Sequence, residues 1–570
     1  MQLNSVRLSM GPVALVVLLT ASCTTDPTPT AESPEAQAII IQPRSLTVPA
    51  GGTARIAAEV TSGGQAPRRQ RISFRSTGGA IDSSGEYVAG VVPGRYLVIG
   101  ALASSGIADT ARVTIVADAT GCTGTATTIC PGDNIQARVN AAPPGTVFRI
   151  KAGIHRMQTI VPKSNQQFIG DAGAVLSGAR LLTSWVRSGA RWYASNQTQQ
   201  FGHDVGECAS GTACRYPEDV FRDDVLLRRV LSLSAVTPGT FYFDYAADRI
   251  YVGDDPAGHK LEAAATQYAF RGSPQGVGTG VVIRGLTIEK YASPAQYGAV
   301  GETNMGANWT LRGNEIRLNH GAGVRGGGGV VVAGNKVHHN GQVGLLGYFA
   351  RVDSNEIAYN NNAGFRVDWA AGGAKFIQVP NLMLRGNFVH HNRGAGFWCD
   401  YNCVGVSYLS NRIEDNLDVG ILHEISLSAT IANNVIRRNG FQDPSPDEGA
   451  GIMVYCSGGT GIEVKRNQLE GNKNGIMLIQ ADRGSGPNGP YVLKNVNVHD
   501  NIVTLTHGQR TGAVRYGGDS GLWTRNNNHF ERNTYNLQSA DVATLQWAGG
   551  TRTDAQWRTY GNDETGVWQR

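Results

Sequence analysis

Between about residue 281 and residue 500 the apolar and polar positions follow one short unit: asparagine, any residue, an apolar residue, two more residues, asparagine. It occurs as NEIRLN from Asn314, NKVHHN from Asn335, NEIAYN from Asn355, NFVHHN from Asn387, NRIEDN from Asn411, NVIRRN from Asn434 and NQLEGN from Asn467. Successive first asparagines are 21, 20, 32, 24, 23 and 33 residues apart. A period of about 20–24 with asparagine at a fixed turn predicts a solenoid of short parallel strands, each coil burying its apolar residues on its neighbours. The two long intervals read as one coil plus a loop. The asparagines are assigned to an internal stack that satisfies turn backbone groups.

A glycine and a short strand-like run follow each unit, and the runs align on that glycine. Gly323 opens GVRGG, Gly344 GLLGY, Gly364 GFRVD, Gly396 GFWCD, Gly420 GILHE, Gly451 GIMVY and Gly475 GIMLI. Strand side chains alternate faces. The residues one past the glycine are apolar throughout, from Val324 and Leu345 to Ile452 and Ile476, so that column faces the core. The residues two and four past it then face out. Four past the glycine, three successive rungs carry a carboxylate: Asp368, Asp400 and Glu424. Tyr348 and Tyr455 bracket them in the same column, and Arg366 and Trp398 accompany them in the column two past the glycine.

Neighbouring rungs lie about 4.8 Å apart. Like charges that close are costly unless one is protonated or a cation binds. A repeat has no structural need of three such acids, so the column is the candidate site. Asp368 belongs to it only if the excess of the 32-residue interval loops out after it, in WAAGGAKFIQVP (369–380). That loop would bring Lys375 over the acids as a charge partner or proton carrier. His423 falls in the inward column and is assigned to the core. The pairs His338/His339 and His390/His391 sit two coils apart, roughly 10 Å, too far to share an ion.

The rest of the chain is organised around this solenoid. Arg7 precedes the apolar run GPVALVVLLTAS, which is too short to span a bilayer comfortably, so residues 1–22 are expected to be a signal peptide. LTASC, ending at Cys23, resembles a bacterial lipobox, with Thr20 where that motif prefers leucine; the resemblance implies lipidation of Cys23. Residues 23–37 are a Pro/Thr-rich linker. Short strand-like runs over 38–117 suggest a small β-sandwich. Residues 130–145 contain a short amphipathic helix with Asp133 available as its N-cap and Ile135 and Val139 one turn apart. Residues 185–270 break the coil rhythm as a side excursion, and 536–570 are taken as a C-terminal cap. Cys122 with Cys130 and Cys208 with Cys214 close short loops in sequence marked for export, so both pairs are expected to be bridged. No cysteine has zinc-site spacing. A net charge of +5 over 570 residues leaves no polybasic footprint, which argues against nucleic acid as a partner.

Two resemblances follow from these motifs. The pattern LTVPAGGTARIAAEV…SSGEYVAG…GRYLVIGA resembles bacterial group 2 immunoglobulin-like domains over 38–117. The helix, the repeat and the acidic outer face over 120–535 together resemble the pectate-lyase-like superfamily of right-handed parallel β-helices. This implies an all-β chain, a small N-terminal immunoglobulin-like sandwich followed by the solenoid, whose sheet face binds an extended glycan. Fold alone does not settle chemistry, and the Asn-x-Asp plus Asp-Asp arrangement of polygalacturonases is missing. Three readings stand. The first is a glycoside hydrolase without cofactor, in which Asp400 and Glu424 act as acid and base or nucleophile, Asp368 tunes them, and Trp398, Tyr348 and Tyr455 stack on sugar rings. The second is a calcium-assisted lyase or uronate epimerase, with Asp368, Asp400 and Glu424 holding the ion and Lys375 or Arg366 taking the proton. The third is a glycan-binding adhesin without turnover. The expected partners are a polysaccharide and, through the lipid anchor, the bacterial cell envelope; the chain is expected to be monomeric. Mass spectrometry of the mature N-terminus is expected to find a lipid-modified Cys23, and an unmodified N-terminus elsewhere, from a host that processes lipoproteins, contradicts the anchor.

Overall fold

The structure is a computed structural model that describes residues 38–49, 53–61, 72–82, 85–90, 94–102, 107–116, 126–272, 278–506, 508–537 and 545–569. The expected signal peptide, Cys23, the linker and Cys122 lie outside the described residues.

From Thr128 onward the chain winds through three long sheets whose neighbouring strands are parallel, two of 13 strands and one of 11, the last pair of the 11-stranded sheet alone being antiparallel. This is the parallel β-helix that the asparagine period predicts. One 13-stranded sheet runs from Thr128–Ile129 to His529–Glu531 and the other from Gly153–Arg156 to Val567–Gln569. The 11-stranded sheet begins at Gly298–Val300. Eight of its successive rungs are numbered here: β1 Ala322–Arg325, β2 Val343–Gly347, β3 Gly372–Ile377, β4 Ala395–Asp400, β5 Ile421–Glu424, β6 Ala450–Tyr455, β7 Asn474–Gln480 and β8 Thr511–Arg515. One continuous core fills the solenoid, from Ile129 to Trp557.

Two asparagine stacks hold the turns. The first runs through Asn314, Asn335, Asn355, Asn387, Asn411, Asn434, Asn467, Asn501 and Asn533, each side-chain Nδ2 donating to the next Oδ1 at 2.9–3.0 Å, and ends on Asp563. The second links Asn319, Asn340, Asn360, Asn392, Asn416, Asn439 and Asn472 in the same way. The backbone N–H of Asn411 also donates to Asn434 Oδ1, and Asn411 Nδ2 reaches the Leu384 carbonyl, both at 2.9 Å. Asn411 Oδ1 in turn accepts from Asn387 N, so the stacked side chain satisfies an N–H and a carbonyl of the preceding coil at a buried turn.

The stacks dictate the residues beside them. The position before each second-stack asparagine is left-handed, with φ of 56° at Leu318, 55° at His339 and Tyr359, 53° at His391, 56° at Asp415 and 54° at Arg438. Most L-residues avoid that region, so the hydrogen bonds must offset the strain. The glycine that opens each rung is required by close approach. A Cβ on Gly373, Gly396 or Gly420 would stand 2.4–2.6 Å from the next rung's glycine carbonyl and 3.1–3.2 Å from a second-stack amide nitrogen.

Helix Ile135–Ala141 closes the first coil with Ile135 and Val139 buried. Its N-cap is Asn134, whose side chain accepts from Ala137 N; Asp133, the expected cap, lies one residue earlier and accepts from Cys130 N at 3.0 Å. At the other end 536–570 is more than a cap. It supplies further rungs at Leu545–Trp547 and Val567–Gln569, and a helix, Asp554–Thr559, whose buried Trp557 plugs the core against Phe530 and Trp547.

The side excursion starts at Ala179, earlier than expected, and forms a five-stranded and a four-stranded sheet over their own core of Leu182, Phe241, Phe243, Ile250 and Val252. It is pinned to the solenoid through Lys290, which has no solvent exposure and pairs with Glu262 at 2.5 Å, Glu289 at 3.2 Å and Asp224. Cys208 and Cys214 are bridged, with Cα atoms 5.6 Å apart. Cys130 is disulfide-bonded as well. Cys399, Cys403 and Cys456 are free and buried. The described residues between 38 and 116 form separate short sheets around a core that includes Ile41, Val48, Tyr87, Val98 and Val113.

Removing one stacked side chain strands its neighbours' donors. Asn411→Ala leaves Asn387 N without its acceptor and removes one of the two acceptors of Asn387 Nδ2, which keeps the Val352 carbonyl, and a buried group left unpaired costs about 1–3 kcal/mol. Its melting temperature is expected to fall by several degrees, whereas that of Gln468→Ala, on an exposed side chain, is expected to stay near wild type. Equal melting temperatures contradict a stabilising stack.

Candidate active site on the outer face of the third sheet

The register of the third sheet places each predicted residue. Phe397 lies beside Ile421 and Ile421 beside Ile452, an inward column buried throughout. Cys399 pairs with His423, so Asp400 and Glu424, the next residues, stand side by side on the outer face of β4 and β5. Glu424 in turn pairs with Tyr455 on β6. His423 is buried inside the solenoid, 3.2 Å from Tyr408 Oη, and burial pushes its pKa down to about 3. It is a core residue, as its column requires.

One rung differs from the sequence alignment. GFRVD (364–368) is not a strand of this sheet; β3 is GGAKFI, with Ala374 beside Phe397 and Lys375 beside Trp398. The excess of the 32-residue interval loops out before the rung. Asp368 and Arg366 therefore leave the ladder, and Ile377 occupies the place beside Asp400. Asp368 binds Arg366 through both carboxylate oxygens, and Arg366 also pairs with Glu207 of the side excursion at 2.6 Å. The Arg366 hydrogen bond holds Asp368 below the usual carboxylate range. Tyr348 keeps its column but stands two rungs from Asp400, with its hydroxyl 3.3 Å from Gln378. The three-acid calcium site is thus not assembled, and among the described residues no three His, Cys, Asp or Glu side chains come together as a metal site.

Lys375 enters the site as a member of the ladder and not as a lid. Its ammonium lies 2.9 Å from Asp400 Oδ2 and 3.3 Å from the centroid of the Trp398 ring. The Trp398 indole donates to Glu424 Oε2 at 2.9 Å. A residue the strand alignment could not reach completes the cluster. Arg483, on the hairpin that follows β7, pairs with Glu424 Oε1 and lies over Tyr455, 5.5 Å from its ring centroid. Asp400, Glu424, Lys375, Trp398, Tyr455 and Arg483 thus form one hydrogen-bonded and ion-paired cluster of two anions, two cations and two aromatic rings.

Its electrostatics are uneven. Glu424 is 7% exposed, and burial followed by the Asp400 charge pushes its pKa up, against the opposing pull of Arg483. Burial likewise raises Asp418, before β5, to about 6, and raises Glu448, before β6, with help from Asp443, Asp418 and Glu424. Neither acid is in the aligned column, because both sit in the turns that feed the rungs. Burial and the Asp400 charge thus push Glu424 toward its protonated form while Arg483 opposes them, and Asp400 is paired with Lys375, so the two carboxyl groups stand in unlike settings, as acid–base chemistry requires.

A family model described as "Right handed beta helix region" matches residues 275–403 and 367–489. This solenoid is a right-handed parallel β-helix. Among solved structures it is similar to the mannuronan C-5 epimerase AlgE6 A-module of Azotobacter vinelandii, at 14% identity over 79% of this chain and 98% of that one, with a TM-score of 0.45. It is also similar to the catalytic unit of a GH87 α-1,3-glucanase from Streptomyces thermodiastaticus, at 11% identity over 91% of this chain and 87% of that one, with a TM-score of 0.35. No curated protein matches the sequence.

The Glu424 environment has a consequence for stability. Its pKa in the folded chain lies above the ordinary value of 4.5, so the folded state holds this proton more tightly than the unfolded state does. Its ionisation then destabilises the fold as pH rises through that window. Glu424→Gln is expected to gain melting temperature over wild type on going from pH 4 to pH 7.5. A constant difference across that range contradicts the raised pKa.

Proposed function

We propose that this chain is an exported polysaccharide-active enzyme, and that Asp400 and Glu424 hydrolyse a glycosidic bond. The observation that carries the reading is the pair itself: two carboxylates on adjacent rungs, one of them pushed toward its protonated form and bonded to the Trp398 indole N–H. Adjacent rungs are about 4.8 Å apart, close to the roughly 5–5.5 Å separation of a retaining pair. Glu424 would give its proton to the leaving oxygen. Asp400, held by Lys375, would attack the anomeric carbon, and Glu424 would then activate the water that releases the sugar. Tyr455, half-buried, would stack on a sugar ring, the buried Trp398 would orient Glu424 through its indole N–H, and Arg483 and Lys375 would hold the carboxylates in place.

A second reading rests on the two cations. Lys375 and Arg483 both face the site, and together they could hold a uronate carboxylate while one of the site's groups takes the C5 proton. That is a lyase or epimerase using this chain's own charges, the three-acid calcium site being set aside by the position of Asp368.

The lipid anchor at Cys23, the cell envelope as location, a monomeric state and an immunoglobulin-like spacer over 38–117 belong to this reading, supported by sequence motifs. No helix of the described residues is long and apolar enough to cross a membrane.

The test is a panel of alginate, polygalacturonate, α-glucans and β-glucans, assayed for reducing ends and for unsaturated-uronate absorbance, with and without chelator. New reducing ends without absorbance select hydrolysis; absorbance selects elimination; binding without products selects an adhesin. Asp400→Asn and Glu424→Gln keep shape and remove acid–base capacity, so each is expected to lower turnover by at least about a hundredfold without lowering the melting temperature. Near-normal turnover in either variant refutes the pair.

A further inference from the structure

A cleft of about 330 Å³ opens on a different face of the solenoid, over the 13-stranded sheet that begins at Thr128–Ile129. It comes from an insertion. Strand Leu427–Ala432 pairs with Gly458–Lys465, but the register jumps from Leu427 beside Gly458 to Ala429 beside Ile462. Gly459, Thr460 and Gly461 therefore stand opposite Ser428 alone, as a bulge. Ser428, left-handed at φ 47°, holds them: its Oγ accepts from Thr460 N at 3.1 Å and meets Thr460 Oγ1 at 2.9 Å. Asn495 Nδ2 donates to Gly459 O at 2.9 Å from the following coil. On the preceding coil Gly405, opposite Ser428, is left-handed too, at φ 70°. A Cβ on Gly461 would meet nothing nearer than the Asn495 carbonyl at 3.9 Å, so the bulge leaves room beside it.

The lining is rich in hydroxyls. Ala429, Ile431, Ile462 and Val464 belong to the core, so Thr430 and Glu463, which alternate with them, face out side by side into the cleft. Glu463 Oε2 is held by His499 Nε2 at 2.8 Å, with Lys465 Nζ at 3.7 Å. Its Oε1 and the Thr430 hydroxyl have no hydrogen-bond partner among the described residues. Glu463 is also the only charged group among the described residues that line the cleft. Free hydroxyls and one carboxylate suit a ligand that brings hydroxyls of its own. A sugar hydroxyl can donate to Glu463 Oε1 in a charge-assisted bond and exchange a second bond with Thr430. A uronate carboxylate would meet a like charge instead. The volume falls at the lower end of the roughly 300–1,000 Å³ usual for small-ligand sites.

The coils that carry the carboxylate pair also build this cleft. Asp400 precedes Gly405 by five residues, Glu424 precedes Ser428 by four and Tyr455 precedes Thr460 by five. The cleft thus lies one turn of chain around the corner from the pair, and Tyr401, 39% exposed, stands on that corner. We propose that the cleft is a second carbohydrate subsite, which holds an uncharged sugar unit of the polysaccharide beside the catalytic pair, so that the substrate is a neutral glycan and not a polyuronate. The inference rests on the reading of the chain as polysaccharide-active.

The test measures binding of the full chain, as the Asp400→Asn variant, to the α-glucans, β-glucans, alginate and polygalacturonate of the panel. A glucan is expected to bind more tightly than either polyuronate. Adding Glu463→Gln is expected to weaken that binding about tenfold, as losing a hydrogen bond to a charged group does, and adding Thr430→Val is expected to weaken it as well. In the active chain the same two substitutions are expected to raise KM for the polymer by matching factors. Glucan binding that neither substitution changes, or tightest binding to a polyuronate, overturns the inference even where the wild-type chain cleaves the polymer. Glucan binding that both substitutions weaken, without product from the wild-type chain, supports the subsite and rejects hydrolysis. No binding to any of the polymers rejects the subsite.

Discussion

Everything in this solenoid depends on a hydrogen-bonding constraint at its turns. A coil that bends sharply inside a core leaves backbone N–H and carbonyl groups facing inward, where water cannot reach them. One asparagine side chain can serve several of those groups at once, and stacking it on the asparagine of the next coil serves that turn too. The two stacks fix the rung spacing, hold the left-handed residues before them, and forbid a side chain on the opening glycine. Every property of the third sheet's outer face, including which carboxylates become neighbours, descends from that alignment.

The site is what happens when such a regular frame carries irregular passengers. Asp400 and Glu424 are neighbours because the frame makes them so, and Lys375 meets Trp398 for the same reason. The segments that cover it come from elsewhere. Segment 361–371, the loop 441–449 and the hairpin 481–491 are all excess chain in intervals longer than one coil. Each is fastened by ion pairs or hydrogen bonds to a distant element. The frame therefore supplies register, and the insertions supply enclosure.

This division explains what could be read from the sequence. The asparagine and glycine positions, the inward column, the core place of His423 and the Asp400–Glu424 pair are set by contacts between adjacent coils, and such contacts leave a period. The place of the loop in the 32-residue interval left none, because Gly364 and Gly373 both open a run that fits the alignment. The difference between them is physical. A Cβ on Gly373 would strike Gly396 O, while one on Gly364 would meet nothing within 4 Å. Phe365, apolar enough for the core column, is instead buried by the Cys208–Cys214 loop more than 150 positions away. Arg483 escaped for the same reason: its partner, Glu424, lies two coils back and outside any repeat.

The first asparagine stack also has a direction. Every amide in it donates toward the C-terminal neighbour, so the small dipoles of the side chains add along the solenoid axis as those of peptide units do in a helix. Such a chain of donors needs a final group that accepts and has nothing left to give. A carboxyl oxygen can accept from several donors at once, and the stack ends on such a group: Asn533 donates both N–H and Nδ2 to Asp563 Oδ1. The other oxygen of Asp563 takes the Trp557 indole and the Tyr535 hydroxyl, at 3.0 and 2.8 Å. The last residue of the ladder thus terminates its polarity and anchors the plug that seals the core.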